Sequence, residues 1–137
     1  MRRGVFVVDE DLDCRTALGE VLEDLGLPPT LFSDPRAARA ALARTPPALI
    51  VTELGKPGTP ATAPFHALLA AATRAELPVI VFSGWNRTVA EPHLPFPFIA
   101  KPEIRTLLEM IRALVPRPAR ESGRPARPRA DAVIDAA

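Results

Sequence analysis

Five residues of this chain carry side chains suited to handling charge at one place: the acids Asp9, Glu10 and Glu53, the hydroxyl of Ser83 and the ammonium of Lys101. Each stands at the end of a short, largely apolar run. Val5-Phe6-Val7-Val8 runs into Asp9-Glu10-Asp11, Ala48-Leu49-Ile50-Val51-Thr52 into Glu53, Pro78-Val79-Ile80-Val81-Phe82 into Ser83-Gly84, and Phe96-Pro97-Phe98-Ile99-Ala100 into Lys101-Pro102. A lone acid at a strand end is ordinarily just solvated. Three of them on one rim would crowd negative charge, raise at least one carboxyl pKa and favour a nearby cation, for which Lys101 and Lys56 are the candidates.

The runs that deliver these residues read as buried parallel strands, which are continuously apolar rather than alternating. Between them lie helical patterns. Ala17, Leu18, Val21, Leu22 and Leu25 recur at helical spacing, with Asp11 and Asp13 as the acidic approach and Gly26 as a stop. Ser33-Asp34-Pro35 supplies a cap and a first-turn proline for an Ala-rich helix through about Ala43, after a short strand at Thr30-Leu31-Phe32. Phe65 to Arg74 reads as the next helix, its start blurred by Pro57, Pro60 and Pro64. Ile104, Leu107, Leu108, Ile111 and Leu114 keep the spacing that buries one face of a last helix. Residues 85–95 carry Pro92 and Pro95 and leave room for no more than one helical turn.

Strand and helix thus alternate five times, which predicts an α/β fold: a doubly wound, five-stranded parallel sheet with right-handed crossovers and a shortened or degenerate fourth helix. Functional groups in such sheets gather at the carboxyl ends of the strands. The prior for 137 residues is one domain. We expect it to span 1–115, followed by a disordered tail at 116–137 in which Pro116, Pro118, Pro125 and Pro128 interleave with Arg117, Arg120, Arg124, Arg127 and Arg129. On that division no effector domain follows the first unit.

Seventeen basic against sixteen acidic residues give a formal charge of +1, so no global field points to nucleic acid or to acidic membranes. The excess sits in the tail, which has no interleaved aromatics and therefore predicts no specific nucleic-acid binding. No stretch is apolar enough to insert in a membrane. The single cysteine, Cys14, permits no intramolecular disulfide, and a cytoplasmic, reducing location is expected. His66 and His93 have no second ligand at metal spacing. Trp85, just past Ser83-Gly84, either anchors a partner or covers a gap left by the short fourth helix.

The segments Val-Val-Asp-Glu-Asp, Leu-Ile-Val-Thr-Glu-Leu-Gly-Lys-Pro-Gly, Val-Ile-Val-Phe-Ser-Gly and Phe-Ile-Ala-Lys-Pro together resemble the receiver domain of bacterial response regulators, a flavodoxin-like (βα)5 fold, over residues 4 to about 115. The resemblance implies that Asp9 and Glu10, with Glu53, form a Mg²⁺ site. It places Glu53 at the phosphoacceptor position, Ser83 and Lys101 at the phosphoryl-contact positions and Phe98 at the aromatic switch position. A cis peptide between Lys101 and Pro102 is also implied. Hard oxygen ligands suit Mg²⁺, and lysine is a compact cation for a transferred charge.

The chain departs from the family where aspartate is usual and Glu53 stands, at Lys56, at Ala61 where a glycine is expected, and in the short proline-rich stretch before Lys101. One extra methylene moves a carboxylate by about 1 Å, and errors of that size cost roughly 100-fold where in-line geometry is needed. The resemblance with this change implies an atypical, stand-alone pseudo-receiver: a phosphorylation-independent protein-interaction module in two-component signalling, not an enzyme, monomeric or weakly dimeric, with a histidine kinase or downstream regulator as partner. The alternatives are a receiver or phosphorelay protein that is still phosphorylated, and a haloacid-dehalogenase-like phosphatase, whose DxD opening Asp9-Glu10-Asp11 also resembles. Glu53 would either hold an active-like state or be inert.

Overall fold

Four-residue runs of apolar side chains can be buried on both sides only if both faces of the sheet are covered, and that is how this chain folds. The structure, a computed structural model, describes residues 4–85 and 94–115. Its elements in order are β1 (Val5–Val8), α1 (Leu12–Asp24), β2 (Pro29–Phe32), α2 (Pro35–Leu42), β3 (Leu49–Thr52), a 3₁₀ turn (Pro60–Thr62), α3 (Ala63–Arg74), β4 (Val79–Ser83), β5 (Phe98–Ala100) and α4 (Ile104–Leu114). The five strands are parallel in the order β2-β1-β3-β4-β5. That order is the doubly wound one, with its switch point between β1 and β3.

Alternation along each strand divides the core in two. Val5, Val7, Leu49, Val51, Ile80 and Phe82 face Leu18 and Leu22 of α1 and Leu107, Leu108 and Ile111 of α4. Phe6, Val8, Ile50, Val79 and Val81 face Ala38 of α2 and Phe65, Leu68, Leu69 and Ala72 of α3. β1, β3 and β4 are buried at every position, as continuous apolar runs require. β2, on the sheet edge, is not.

Local signals account for most boundaries. Asp11 caps α1 by accepting the Asp13 N–H, and Asp34 caps α2 by accepting the Arg36 N–H with Pro35 in the first turn. Gly26 lies at φ 75° just past α1, the left-handed residue that ends many helices. Two boundaries show how proline sets an element's end. α3 begins at Ala63 rather than Phe65, because Pro60 and Pro64 fall in first-turn positions whose N–H would be unpaired anyway. Ser83 is the last residue of β4, paired with Ala100. β5 starts at Phe98 rather than Phe96; the Pro97 carbonyl still accepts the Val81 N–H at 2.8 Å, but the Pro97 ring has no N–H to extend the ladder.

The described residues hold four α-helices. Residues 86–93, which include His93 and most of the stretch expected to hold a degenerate fourth helix, lie outside the described residues, as does the Pro/Arg segment 116–137. Among the described residues no helix is long and apolar enough to cross a membrane.

Candidate functional site

Because all five strands are parallel, their carboxyl ends share one edge, and residues far apart in sequence meet there. Asp9 follows β1, Glu53 follows β3, Ser83 ends β4 and Lys101 follows β5. Main-chain hydrogen bonds fix the spacing of three of them: the Glu53 N–H donates to the Val8 carbonyl at 2.9 Å, and the Lys101 N–H to the Ser83 carbonyl at 2.9 Å. Asp9 is 4% exposed, Glu53 9% and Ser83 1%, so three polar side chains are held nearly out of water. Buried groups of this kind persist only when paired or hydrogen-bonded.

The pairing centres on Lys101. Its ammonium donates to Asp9 Oδ2 at 2.6 Å and stands 3.5 Å from Glu53 Oε2. The other oxygen of each carboxylate is held by the backbone. Asp9 Oδ1 accepts the Asp11 N–H at 2.9 Å, and Glu53 Oε1 accepts the N–H of the next residue, Leu54, at 2.8 Å. The glutamate side chain therefore curls back on its own main chain instead of extending straight out of the strand. Partial burial alone would lower the Lys101 pKa; the hydrogen bond and charge of Asp9, with a smaller contribution from Glu53, outweigh it and hold the pKa above its ordinary 10.5.

The turn after β1 is braced by residues that sequence patterning did not single out for the site. Arg15 Nη1 donates to the carbonyls of Asp9 at 2.7 Å and Glu10 at 3.0 Å. Its position one turn into α1 was the available signal, since a side chain there leans back toward the helix start. Cys14 packs beneath Asp9; burial, then its hydrogen bond to Asp9 and the Asp9 charge, push its pKa from 9.0 to about 12, which makes it a packing residue rather than a reactive thiol. After β3, Thr52 Oγ donates to the Glu53 carbonyl at 2.6 Å, and Gly55 takes φ 75° where a Cβ would come within 3.0 Å of the Ala61 carbonyl oxygen.

Not every sequence candidate joins the cluster. Glu10 is exposed, and among the described residues no three His, Cys, Asp or Glu side chains are grouped as a metal-holding set. Asp9 and Glu53 each turn an oxygen to the Lys101 ammonium, while Glu10 lies at the solvent-facing start of the turn into α1. Ser83 Oγ accepts the Trp85 N–H at 3.1 Å, which makes it a turn residue as well as a buried hydroxyl. Phe98 is half-buried against the α2/α3 side of the core. Trp85 is 45% exposed, and Lys56 Nζ lies 5.9 Å from its ring centroid. Lys101 and Pro102 are joined by a cis peptide bond.

No family model matches the chain, and no curated protein sequence matches it. Many solved structures do. A response regulator receiver protein from Pseudomonas putida is 28% identical, with TM-score 0.68, covering 82% of this chain and 98% of its own. The receiver domain of nitrogen regulatory protein C is 29% identical, with TM-score 0.63, covering 81% of this chain and 93% of its own. The chemotaxis protein CheY4 of Vibrio cholerae, at 17% identity and TM-score 0.67, covers 84% of this chain and 100% of its own. The sheet order, the two-sided core and these likenesses agree: the chain carries the receiver-domain fold of the CheY-like response regulators.

Proposed function

We propose that this chain is a pseudo-receiver: a protein-interaction module of two-component-type signalling that works without being phosphorylated. Glu53 takes the phosphoacceptor position, Ser83 and Lys101 the phosphoryl-contact positions and Phe98 the aromatic switch position. The observation that carries the reading is the state of the Glu53 carboxylate. It is nearly buried, folded back onto the Leu54 N–H at 2.8 Å and 3.5 Å from the Lys101 ammonium. A carboxylate held on both oxygens and displaced by one methylene is poorly placed for in-line attack on a phosphoryl donor.

The partner is a protein. A solved complex of the yeast histidine phosphotransfer protein Ypd1 with the receiver domain of Ssk1, 12% identical to this chain with TM-score 0.67, supplies the analogy in fold. Trp85, part-exposed at the same rim, offers an anchor of the kind interfaces favour.

Incubation with a small acyl-phosphate donor and Mg²⁺, followed by intact-mass measurement, tests the reading. No mass change is expected. A stable, Mg²⁺-dependent gain of one phosphoryl group mapped to Glu53 overturns it in favour of a working receiver. Glu53→Gln and Glu53→Ala then separate two forms of the proposal: partner binding lost in both means the charge mimics a signal, and binding kept in both means it is inert.

A further inference from the structure

The rim holds two buried carboxylates and one ammonium, and their geometry repeats. In Asp9, Oδ1 accepts a backbone N–H and Oδ2 faces Lys101; in Glu53, Oε1 accepts a backbone N–H and Oε2 faces Lys101. Both outward oxygens converge on the same nitrogen, one at 2.6 Å and the other at 3.5 Å. A divalent magnesium ion needs six ligands at close to ideal octahedral angles, at about 2.0–2.1 Å, and gives up its own water reluctantly. Of the three acids near the rim, Glu10 is exposed and the two buried ones, Asp9 and Glu53, already turn their outward oxygens to the Lys101 ammonium, so the residues as arranged do not fit that ion.

We infer that the Lys101 ammonium is the resident cation of this site, and that the site takes up no divalent cation while Lys101 occupies it. Asp9, Glu53 and Lys101 sum to a charge of −1 with Lys101 in place. A divalent ion would have to displace an ammonium hydrogen-bonded to Asp9, or sit against it and be repelled. The length of glutamate contributes: from a strand-end position it reaches back to its own backbone N–H while its second oxygen still meets Lys101. This inference rests on the same reading of Glu53 and goes a step past it, since it removes the cation that would bring a carboxylate and a phosphoryl donor together.

The test is titration of the full chain with MgCl₂ by calorimetry, and with MnCl₂ by selective broadening of the Asp9 and Glu53 amide signals in a ¹H–¹⁵N spectrum. In the native chain no saturable binding and no selective broadening are expected into the tens of millimolar. Lys101→Met, which keeps the alkyl stem and removes the charge, is expected to bind Mn²⁺ at least about tenfold tighter. Saturable binding by the native chain overturns the inference, and so does a folded Lys101→Met that binds no better than the native chain. If Lys101→Met does not fold, the Lys101 ammonium resonance of the native chain decides: unmoved by Mg²⁺ it supports the inference, shifted or exchanged away it overturns it. Mg²⁺ binding without phosphoryl gain would sink this inference alone, whereas phosphoryl gain on Glu53 would sink the pseudo-receiver reading itself.

Discussion

The turn after β1 and the turn after β3 leave neighbouring parallel strands and reach the same rim, yet they are built in opposite ways. The first is fastened by side chains: Asp9 holds the Asp11 N–H, Asp11 holds the Asp13 N–H, Arg15 clamps two carbonyls, and Lys101 reaches across from β5 to Asp9. The second is shaped by backbone. Gly55 and Gly58 both take φ 75°, Glu53 holds its own neighbour's N–H, and Lys56 leans over Trp85. The difference teaches which carboxylate owns the lysine. Lys101 is Asp9's partner at 2.6 Å and only a neighbour of Glu53 at 3.5 Å.

Breaking the first turn should therefore cost most. Asp9→Ala strips a partly buried ammonium of its closest partner and frees the Asp11 N–H; we expect a loss of about 2–3 kcal/mol in urea unfolding, discounted from a fully buried pair because Lys101 retains some solvent contact. Next comes Gly55→Ala, which forces a side chain into a left-handed position facing the Ala61 carbonyl, at about 1–2 kcal/mol. Glu53→Gln keeps the acceptor for Leu54 and gives up only the longer charge contact, for a loss of about 0.5–1 kcal/mol. Lys56→Ala is expected to change stability by no more than about 0.5 kcal/mol. If Glu53→Gln proved as costly as Asp9→Ala, the assignment of Lys101 to Asp9 would be wrong.

Alkaline titration sharpens the same contrast, because both shifted groups touch Asp9. Cys14 is raised from 9.0 to about 12 and Lys101 is raised above 10.5, so in each case the folded chain holds its proton more tightly than the unfolded one. Their stabilisation is fully present below the unfolded values and is lost as pH rises through the folded ones. Stability should thus hold up to about pH 9, begin to fall there on account of Cys14, and fall more steeply above 10.5 as Lys101 joins. Cys14→Ala should flatten the first part of the fall and leave the second. Glu53→Gln should leave the Cys14 part in place.

Much of this molecule is legible in its sequence because the signals are local. Unbroken apolar runs at 5–8, 49–51 and 79–82 mark strands covered on both faces, the spacing from Leu18 to Leu25 and from Ile104 to Leu114 marks helices, and Asp34-Pro35 announces its own cap. The candidate site follows at one remove: if the strands are parallel, residues at their carboxyl ends must share a rim, and Asp9, Glu53, Ser83 and Lys101 do. The opening of α3 and the shortness of β5 were less legible, since a proline there is compatible with a turn, a first helical turn or a strand end.

What the sequence determined by itself, then, is which residues arrive at the rim, because strand parity and burial are written in nearest-neighbour patterns. What tertiary structure alone decided is how they pair. The contact between Lys101 and Asp9 spans 92 positions in the chain, and its preference over Glu53 depends on the offset between β1, β3 and β5 and on a glutamate long enough to fold back onto Leu54. Differences of about 1 Å set such preferences, and no pattern of residue types along a chain records distances on that scale.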